Sequence, residues 1–389
     1  MKQFLYPITI ILLVSVVLTT SGCAVLPSRT YGAKSAETLY FDTEDGWRLA
    51  VHHYTPKTVR NNGNRPPIIL CHGLGYNSNF WILKEETSFA GYLAENGYDV
   101  WVLSLRGSGL STKPGLSIVK NIMGIRRGEV RNISFRPSQL NWNIDDYVNY
   151  DIPAALDFIT ERTGKKQVVW IGHSLGGMIM YAYLTQNNDD KLASVVTIGS
   201  PIIEPRPLNL ILQEILRNKR LFKAFLVVNT RTGASSIAPF HQFIITPDAV
   251  LLYNRDNIES ETVTKVFRDV VEDIPLGVVE QVIEILRSGE FKSFDGEINY
   301  TQMIDRIKVP ILLCCGKADN LAPPESVRYA FHNVSSENKR FMQFGRADGH
   351  KNDYGHNDMI LGKHAKQEIY PKILQWLRIN AVIRNGNND

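Results

Sequence analysis

The chain has only four cysteines in 389 residues, no Cys/His spacing of the kind that holds zinc, and no long block of like charge. Cys71, Cys314 and Cys315 each sit in an apolar run that reads as a buried strand. Neighbouring cysteines do not readily bridge each other, so all three read as small buried hydrophobes. The formal net charge of +4 is spread along the chain, which gives nucleic-acid binding little support. The apolar run from Phe4 to Leu18 falls short of the roughly 20 residues that span a bilayer, and Pro7 interrupts its start. Internal repeats and low-complexity tracts are lacking.

What stands at the N-terminus is a leader. Lys2, the run Phe4 to Leu18, the small residues Thr19, Thr20, Ser21 and Gly22, and then Cys23 form a positive start, an apolar core and a small-residue exit. This resembles the lipobox of bacterial lipoproteins, with Thr20 where Leu is usual. The resemblance implies a signal peptide over 1–22, a lipidated Cys23 as the new N-terminus, and a tether over 23–36. A diacylated, N-acylated cysteine gives stable anchoring where a single chain is marginal. Ala24 is not the aspartate that retains enterobacterial lipoproteins in the inner membrane, so the expected location is the cell envelope, at the outer membrane. Plain secretion with an incidental Cys23, or an uncleaved anchor, are the alternatives.

The whole chain is 44% hydrophobic, enough for one large domain or a domain with an insertion. Alternation from Glu37 to His53 about Asp45-Gly46 predicts a hairpin. Buried strands are expected at Ile68 to Cys71, Asp99 to Leu105, Gln167 to Ile171, Leu192 to Ile198 and Val309 to Cys315, with a last strand at Arg340 to Phe344. Helices are expected at Ile82 to Asn96, Ile144 to Thr163, Leu175 to Gln186, Glu325 to His332 and Ala365 to Ile379. The alternation implies a mostly parallel, doubly wound sheet. It breaks from Ile202 to Ile307, where amphipathic helices such as Leu208 to Val228 and Val278 to Leu286 replace strands. The expected organisation is a core over 37–201, a helical cap or lid inserted over 202–307, and the rest of the core over 308–389.

Gly172-His173-Ser174-Leu175-Gly176 lies between a strand and a helix. Glycines two places either side of Ser174 suit a sharp turn that lifts the hydroxyl to a helix N-terminus, where developing negative charge is favoured. His72-Gly73-Leu74-Gly75 follows a buried strand, where half an oxyanion hole belongs; the N–H groups of Leu74 and Leu175 are the candidate donors. A serine nucleophile needs a base, and the base an orienting carboxylate. Asp319 stands in the turn after Ile311 to Cys315, at the same sheet edge as Ser174; capping the next helix is its bland alternative. Past the final strand the bases on offer are His350, His356 and His364, and spacing does not separate the first two.

Three stretches resemble the acid lipase family of α/β-hydrolases, the gastric and lysosomal lipases and their relatives. They are Tyr150-Asp151-Ile152-Pro153-Ala154 through Thr163-Gly164 to the Ser174 turn, then Gly316 to Pro323, then Tyr354 to Gly362. Asp99-Val100-Trp101 and Arg106-Gly107 are also similar. The resemblance implies an α/β-hydrolase fold and makes His356 the base, with Ser174 and Asp319 its partners. Leu175 and Gly177 depart from the family's frequent Gln and Thr, and bacterial hydrolases with the Gly-His-Ser-Leu-Gly-Gly-Met turn are equally similar. A triglyceride preference therefore does not follow.

The expected chemistry is hydrolysis of carboxylic esters, lipid or acyl, through an acyl-enzyme, with no metal or organic cofactor. Acyl transfer or amide hydrolysis by the same residues is the runner-up, and a non-catalytic lipid-binding lipoprotein a third reading. Dehalogenase or epoxide-hydrolase chemistry would need a carboxylate at Ser174. Apolar positions Leu208, Ile211, Leu212 and Ile215 suit either an acyl pocket or core packing. The stretch Lys113 to Arg136, with Lys120, Arg126, Arg127 and Arg131, reads as a solvated loop, with anionic headgroups as an alternative contact.

Overall fold

The computed structural model describes residues 36–57, 65–85, 88–113, 141–187, 190–220, 230–231, 234–235, 238 and 251–381. Eight strands form one sheet: β1 (Glu37–Asp42), β2 (Arg48–Tyr54), β3 (Ile68–Cys71), β4 (Val100–Ser104), β5 (Val168–His173), β6 (Leu192–Ile198), β7 (Ile311–Gly316) and β8 (Lys339–Phe344). Their order is β1-β2-β4-β3-β5-β6-β7-β8. The β1–β2 and β2–β4 pairs are antiparallel and every other pair is parallel. The central strands read as unbroken apolar runs because both faces are covered.

Successive residues of each strand feed opposite cores. Ile69, Cys71, Trp101, Leu103 and Trp170 join the core under helices α2 (Ile152–Thr163) and α3 (Leu175–Gln186). Ile68, Leu70, Val100, Val102 and Ile171 join the core under α1 (Phe89–Glu95) and α7 (Tyr370–Asn380). Cys71, Cys314 and Cys315 are free and buried, as their apolar surroundings in sequence imply.

Some helix boundaries differ from those expected, for local reasons. The helix expected from Ile82 starts at Phe89, because Ser88 caps it by accepting from the Gly91 N–H, and Ser78–Trp81 upstream form a separate tight turn capped by Asn77. The single helix expected from Ile144 to Thr163 is a capped turn at Ile144–Asp146, a wide π-type turn at Tyr147–Asp151, and then α2. α2 stops where Gly164 takes φ 65°.

Between β6 and β7 the described residues carry α4 (Leu210–Arg217), two short helical stretches at Ser260–Lys265 and Val266–Val270, and α5 (Leu276–Ser288). The helix expected over Leu208 to Val228 is seen as α4, and residues 221–229 lie outside the described set. Leu208 and Leu212 pack with Leu251 and Leu286, and Ile211 and Ile215 lie against the same cluster, so this stripe is core packing. α6 (Pro324–Asn333) follows β7.

Arg106 pins three segments together. Its Nε donates to Asp151 Oδ1 at 2.7 Å, its backbone N–H to Asp151 Oδ2 at 2.9 Å, and its two terminal nitrogens to Asp45 at 2.7 and 3.0 Å. The guanidinium also lies over the rings of Trp47 and Tyr150. The β1–β2 turn, the end of β4 and the entry to α2 thus share one buried cation. Arg106→Met strands Asp151 as a buried, unpaired charge and is expected to cost about 3–5 kcal/mol, read from the midpoint of urea unfolding.

Glu204, just past β6, is buried, and its N–H donates to Gly289 O at 3.0 Å. Burial pushes its carboxyl up to about 8; Arg206 opposes this, and the charge of Asp319 adds to it. Between its ordinary acidic value and about 8, folding takes up a proton, so this group's share of stability falls as pH rises and levels off above about 8. Glu204→Gln removes the titration. The melting temperature of the variant relative to wild type should climb between pH 5 and pH 8 and then hold; a gap independent of pH would contradict this account.

Candidate active site

Ser174 joins β5 to α3 with φ 53° and ψ −121°. It is the one non-glycine residue with positive φ among those described. The flanking glycines permit it. A Cβ on Gly172 would fall 2.3 Å from the carbonyl of Gly176, and a Cβ on Gly176 would fall 2.5 Å from Cys71 O. The turn is closed by hydrogen bonds from Ser174 N to Ile198 O (2.9 Å) and from Gly177 N to Ser174 O (3.0 Å). Ser174 therefore stands over the C-terminal sheet edge at the N-terminus of a 12-residue helix.

Asp319 lies past the end of β7, and both of its oxygens are used. Oδ1 accepts from the backbone N–H groups of Leu321 (3.0 Å) and Ala322 (2.7 Å), and Oδ2 meets His356 Nδ1 at 2.8 Å. The helix cap expected as the alternative is not made: Pro323 stands at the N-cap of α6 without a side-chain bond, the Oδ1 bonds close the turn before it, and Oδ2 pairs with His356. The pair is almost wholly buried. With Nδ1 donating to Asp319, Nε2 of His356 is left as the free acceptor. Of the rival bases, His350 directs Nδ1 at Gly345 O (3.1 Å), and His364 precedes the short helix Ala365–Glu368.

His173, which sequence reasoning did not single out, ties these parts together. Its Nε2 donates to the backbone carbonyl of His356 at 3.1 Å, and its ring stacks on Phe80 and lies 4.7 Å from that of His356. Burial, with His356 nearby, pushes its imidazole well below its ordinary range, so it is neutral. A histidine before the serine was visible in sequence, but its bond to a residue 183 positions away was not.

The loop after His356 is fastened to the segment between β6 and β7. Asp358 accepts from Asn254 N (3.2 Å) and Asn257 Nδ2 (2.7 Å). Asn357 donates through its backbone to Leu252 O (2.7 Å) and through its side chain to Tyr76 Oη (2.7 Å). Burial pushes the Asp358 carboxyl up to about 6, opposed by the donors around it.

On the other side, His72 Nε2 accepts from Leu105 N (3.2 Å), which makes Nδ1 the donor to Gly73 O (2.9 Å). Burial pushes this imidazole down to about 4, so it too is neutral. Gly73 passes so close to Ser174 that a Cβ on it would lie 3.0 Å from the serine Cβ. Leu74 and Leu175 border one cavity with Trp142, Ile274 and Glu272; its volume of about 20 Å³ holds on the order of one water. Among the described residues no His/Cys/Asp/Glu group is arranged to hold a metal ion. Cys23 and the basic residues from Lys120 to Arg136 lie outside the described residues, while Lys113 pairs with Glu272 at 2.8 Å.

The chain has relatives among known proteins. Residues 66–363 match the model of the alpha/beta hydrolase fold family, and residues 29–85 match that of a partial alpha/beta-hydrolase lipase region. The chain is 26% identical over 386 residues to the gastric triacylglycerol lipase of Homo sapiens, covering 90% of this chain and 89% of that protein. It is 24% identical over 383 residues to the corresponding lipase of Mus musculus, covering 90% of each. Among solved structures, an esterase from Thermogutta terrifontis superposes with a TM-score of 0.54 at 16% identity, covering 89% of this chain and 100% of that one. A monoacylglycerol lipase from Paleococcus ferrophilus gives 0.51 at 18%, covering 85% and 99%. The chain belongs to the α/β-hydrolase fold family, and within it is a carboxylic ester hydrolase of the lipase and esterase kind.

Proposed function

We propose that Ser174, His356 and Asp319 carry out ester hydrolysis through an acyl-enzyme. His356 Nε2 takes the Ser174 proton as Oγ attacks the ester carbonyl, and Asp319 holds the imidazole tautomer and stabilises the imidazolium. The N–H groups of Leu74 and Leu175 receive the oxyanion. Collapse of the tetrahedral intermediate expels the alcohol, which takes the proton from His356. Water then attacks the acyl-enzyme by the same route, releasing the acid and free Ser174. The observation that carries this reading is the 2.8 Å bond from His356 Nδ1 to Asp319, at the same C-terminal sheet edge as a serine held at φ 53°.

Apolar acyl esters are the substrate class we favour. The relatives include enzymes named triacylglycerol lipases, and Leu74, Leu175, Trp142 and Ile274 bring apolar side chains to the cavity beside the Gly73 loop. We read the insert over 202–307 as a cap, because Ile274 and Pro275 from it border the same cavity as Leu74. Hydrolysis is preferred to acyl transfer or amide cleavage because relatives with full-length coverage are lipases.

Residues 1–23 support a further part of the reading: a cleaved leader and a lipid on Cys23 that anchors the enzyme at the cell envelope, on the outer membrane, facing lipid substrates. Expressed with labelled palmitate in a bacterial host, the chain should incorporate label and sediment with membranes. Cys23→Ser should do neither; label retained in that variant removes the anchor from this reading.

On p-nitrophenyl esters of graded chain length, Ser174→Ala is expected to abolish turnover and fluorophosphonate labelling. Asp319→Asn should keep the fold but lower kcat by about 10⁴, through loss of the correct imidazole tautomer. Equal turnover by wild type and Ser174→Ala would overturn the serine mechanism.

A further inference from the structure

Past β3 the chain runs through Gly73, Leu74 and Gly75 to the turn Ser78–Trp81. Few of the hydrogen bonds that hold this loop come from the core. Gly75 O accepts from Glu272 N at 2.7 Å. Asn77 Nδ2 donates to Glu272 Oε1 (2.9 Å) and to Asp269 O (3.1 Å), and Asn79 Nδ2 donates to Asp269 O (3.1 Å). Residues 269–272 belong to the insert between β6 and β7, nearly two hundred positions away in the chain.

Glu272 is the centre of this junction. Its side chain is 3% exposed, and a carboxylate so buried is costly unless its charge and both oxygens are matched. Here they are: Oε1 also receives the Gly109 N–H at 3.3 Å, and Oε2 takes Lys113 Nζ at 2.8 Å. One carboxylate thus joins the loop carrying Leu74, the turn after β4, and the insert. Glu272 and Leu74 border the same cavity.

We propose that Glu272 is a positioning residue for the oxyanion hole: through Asn77 and its own N–H on Gly75 it sets where the Leu74 N–H points, so that the insert completes the catalytic site. This rests on the serine mechanism proposed above. An oxyanion donor acts only when aimed at the charge that develops in the transition state, and a misplacement on the order of 1 Å is enough to lose much of its effect. Without the Glu272 carboxylate the loop would keep its entry from β3 and its bonds to Asp269 O, but lose the charged centre that ties Asn77 to the turn after β4.

The test uses the full chain and begins by measuring turnover that depends on Ser174. Glu272→Gln keeps the shape and the oxygen that receives Asn77, but loses the charge that Lys113 matches. It is expected to lower kcat about tenfold to a hundredfold with KM within about twofold, the pattern of an interaction made in the transition state. Affinity for an alkyl trifluoromethyl ketone, which Ser174 traps as a tetrahedral adduct with its oxyanion in the hole, should fall by the same factor. The pH profile of kcat/KM should keep its midpoint, since the His356–Asp319 bond is untouched. Asn77→Ala leaves the carboxylate and Lys113 in place and should move kcat and inhibitor affinity in the same direction; it carries the test if Glu272→Gln does not fold. If both folded variants retain wild-type kcat and inhibitor affinity, Glu272 is only a structural ion pair and this inference falls while the serine mechanism stands. If wild type itself shows no Ser174-dependent turnover, both fall.

Discussion

A residue with a side chain held at φ 53° and ψ −121°, as Ser174 is, stores backbone strain on the order of 1–3 kcal/mol and persists only where its surroundings over-determine it. Here they do. Parallel strands β3, β5 and β6 bring the carbonyls of Cys71 and Ile198 against the turn, α3 is buried around nearly its whole circumference, and Trp170 Nε1 donates to Gly176 O at 2.9 Å. The sheet, the helix behind it and the two flanking glycines can be read as what is needed to keep one serine in a conformation it would not choose. The fold family found from residues 66–363 is the one in which this arrangement is expected.

Two of the histidines around that serine carry no charge near neutrality. His72 and His173 are both buried and neutral, each with its tautomer dictated by a backbone partner: Gly73 O for His72, His356 O for His173. His356 is the histidine of this cluster that faces a carboxylate. Two imidazoles thus serve as fixed donors to backbone carbonyls, and His356 is the one bonded to a carboxylate. Burial holds the rings of His72 and His173 neutral, since desolvation penalises the charged imidazole.

The segment between β6 and β7 reaches the candidate site from two sides. Asn254 and Asn257 reach Asp358 beyond the candidate base, and residues 269–272 reach the loop beside Ser174. Both halves of the site therefore lean on one segment, whose own apolar face packs into the core through Val278, Val279 and Ile283. Exposed Leu210 and Phe294, by contrast, belong to parts of the insert that turn outward.

Local pattern was enough for much of this. The elbow, α3 and β6 have the limits expected from sequence, because a strand–turn–helix with glycines at fixed offsets and a continuous apolar run is specified by neighbours within a few residues. That Asp319 would stand at the serine's sheet edge followed from the strand–helix alternation; looking for the base past the last strand used the Ser, acid, His order of such folds, and choosing His356 over His350 needed the family resemblance. Tertiary structure decided the rest. Asp319 does not cap α6 but closes the turn before it with one oxygen and pairs with His356 through the other, since a carboxylate has lone pairs for each. The start of α1 moved to Phe89 because Ser88 was free to cap it. The roles of His173 and Glu272 depend on partners 183 and 195 positions distant, and no local pattern encodes a contact that exists only after the sheet has closed and the insert has folded back across it.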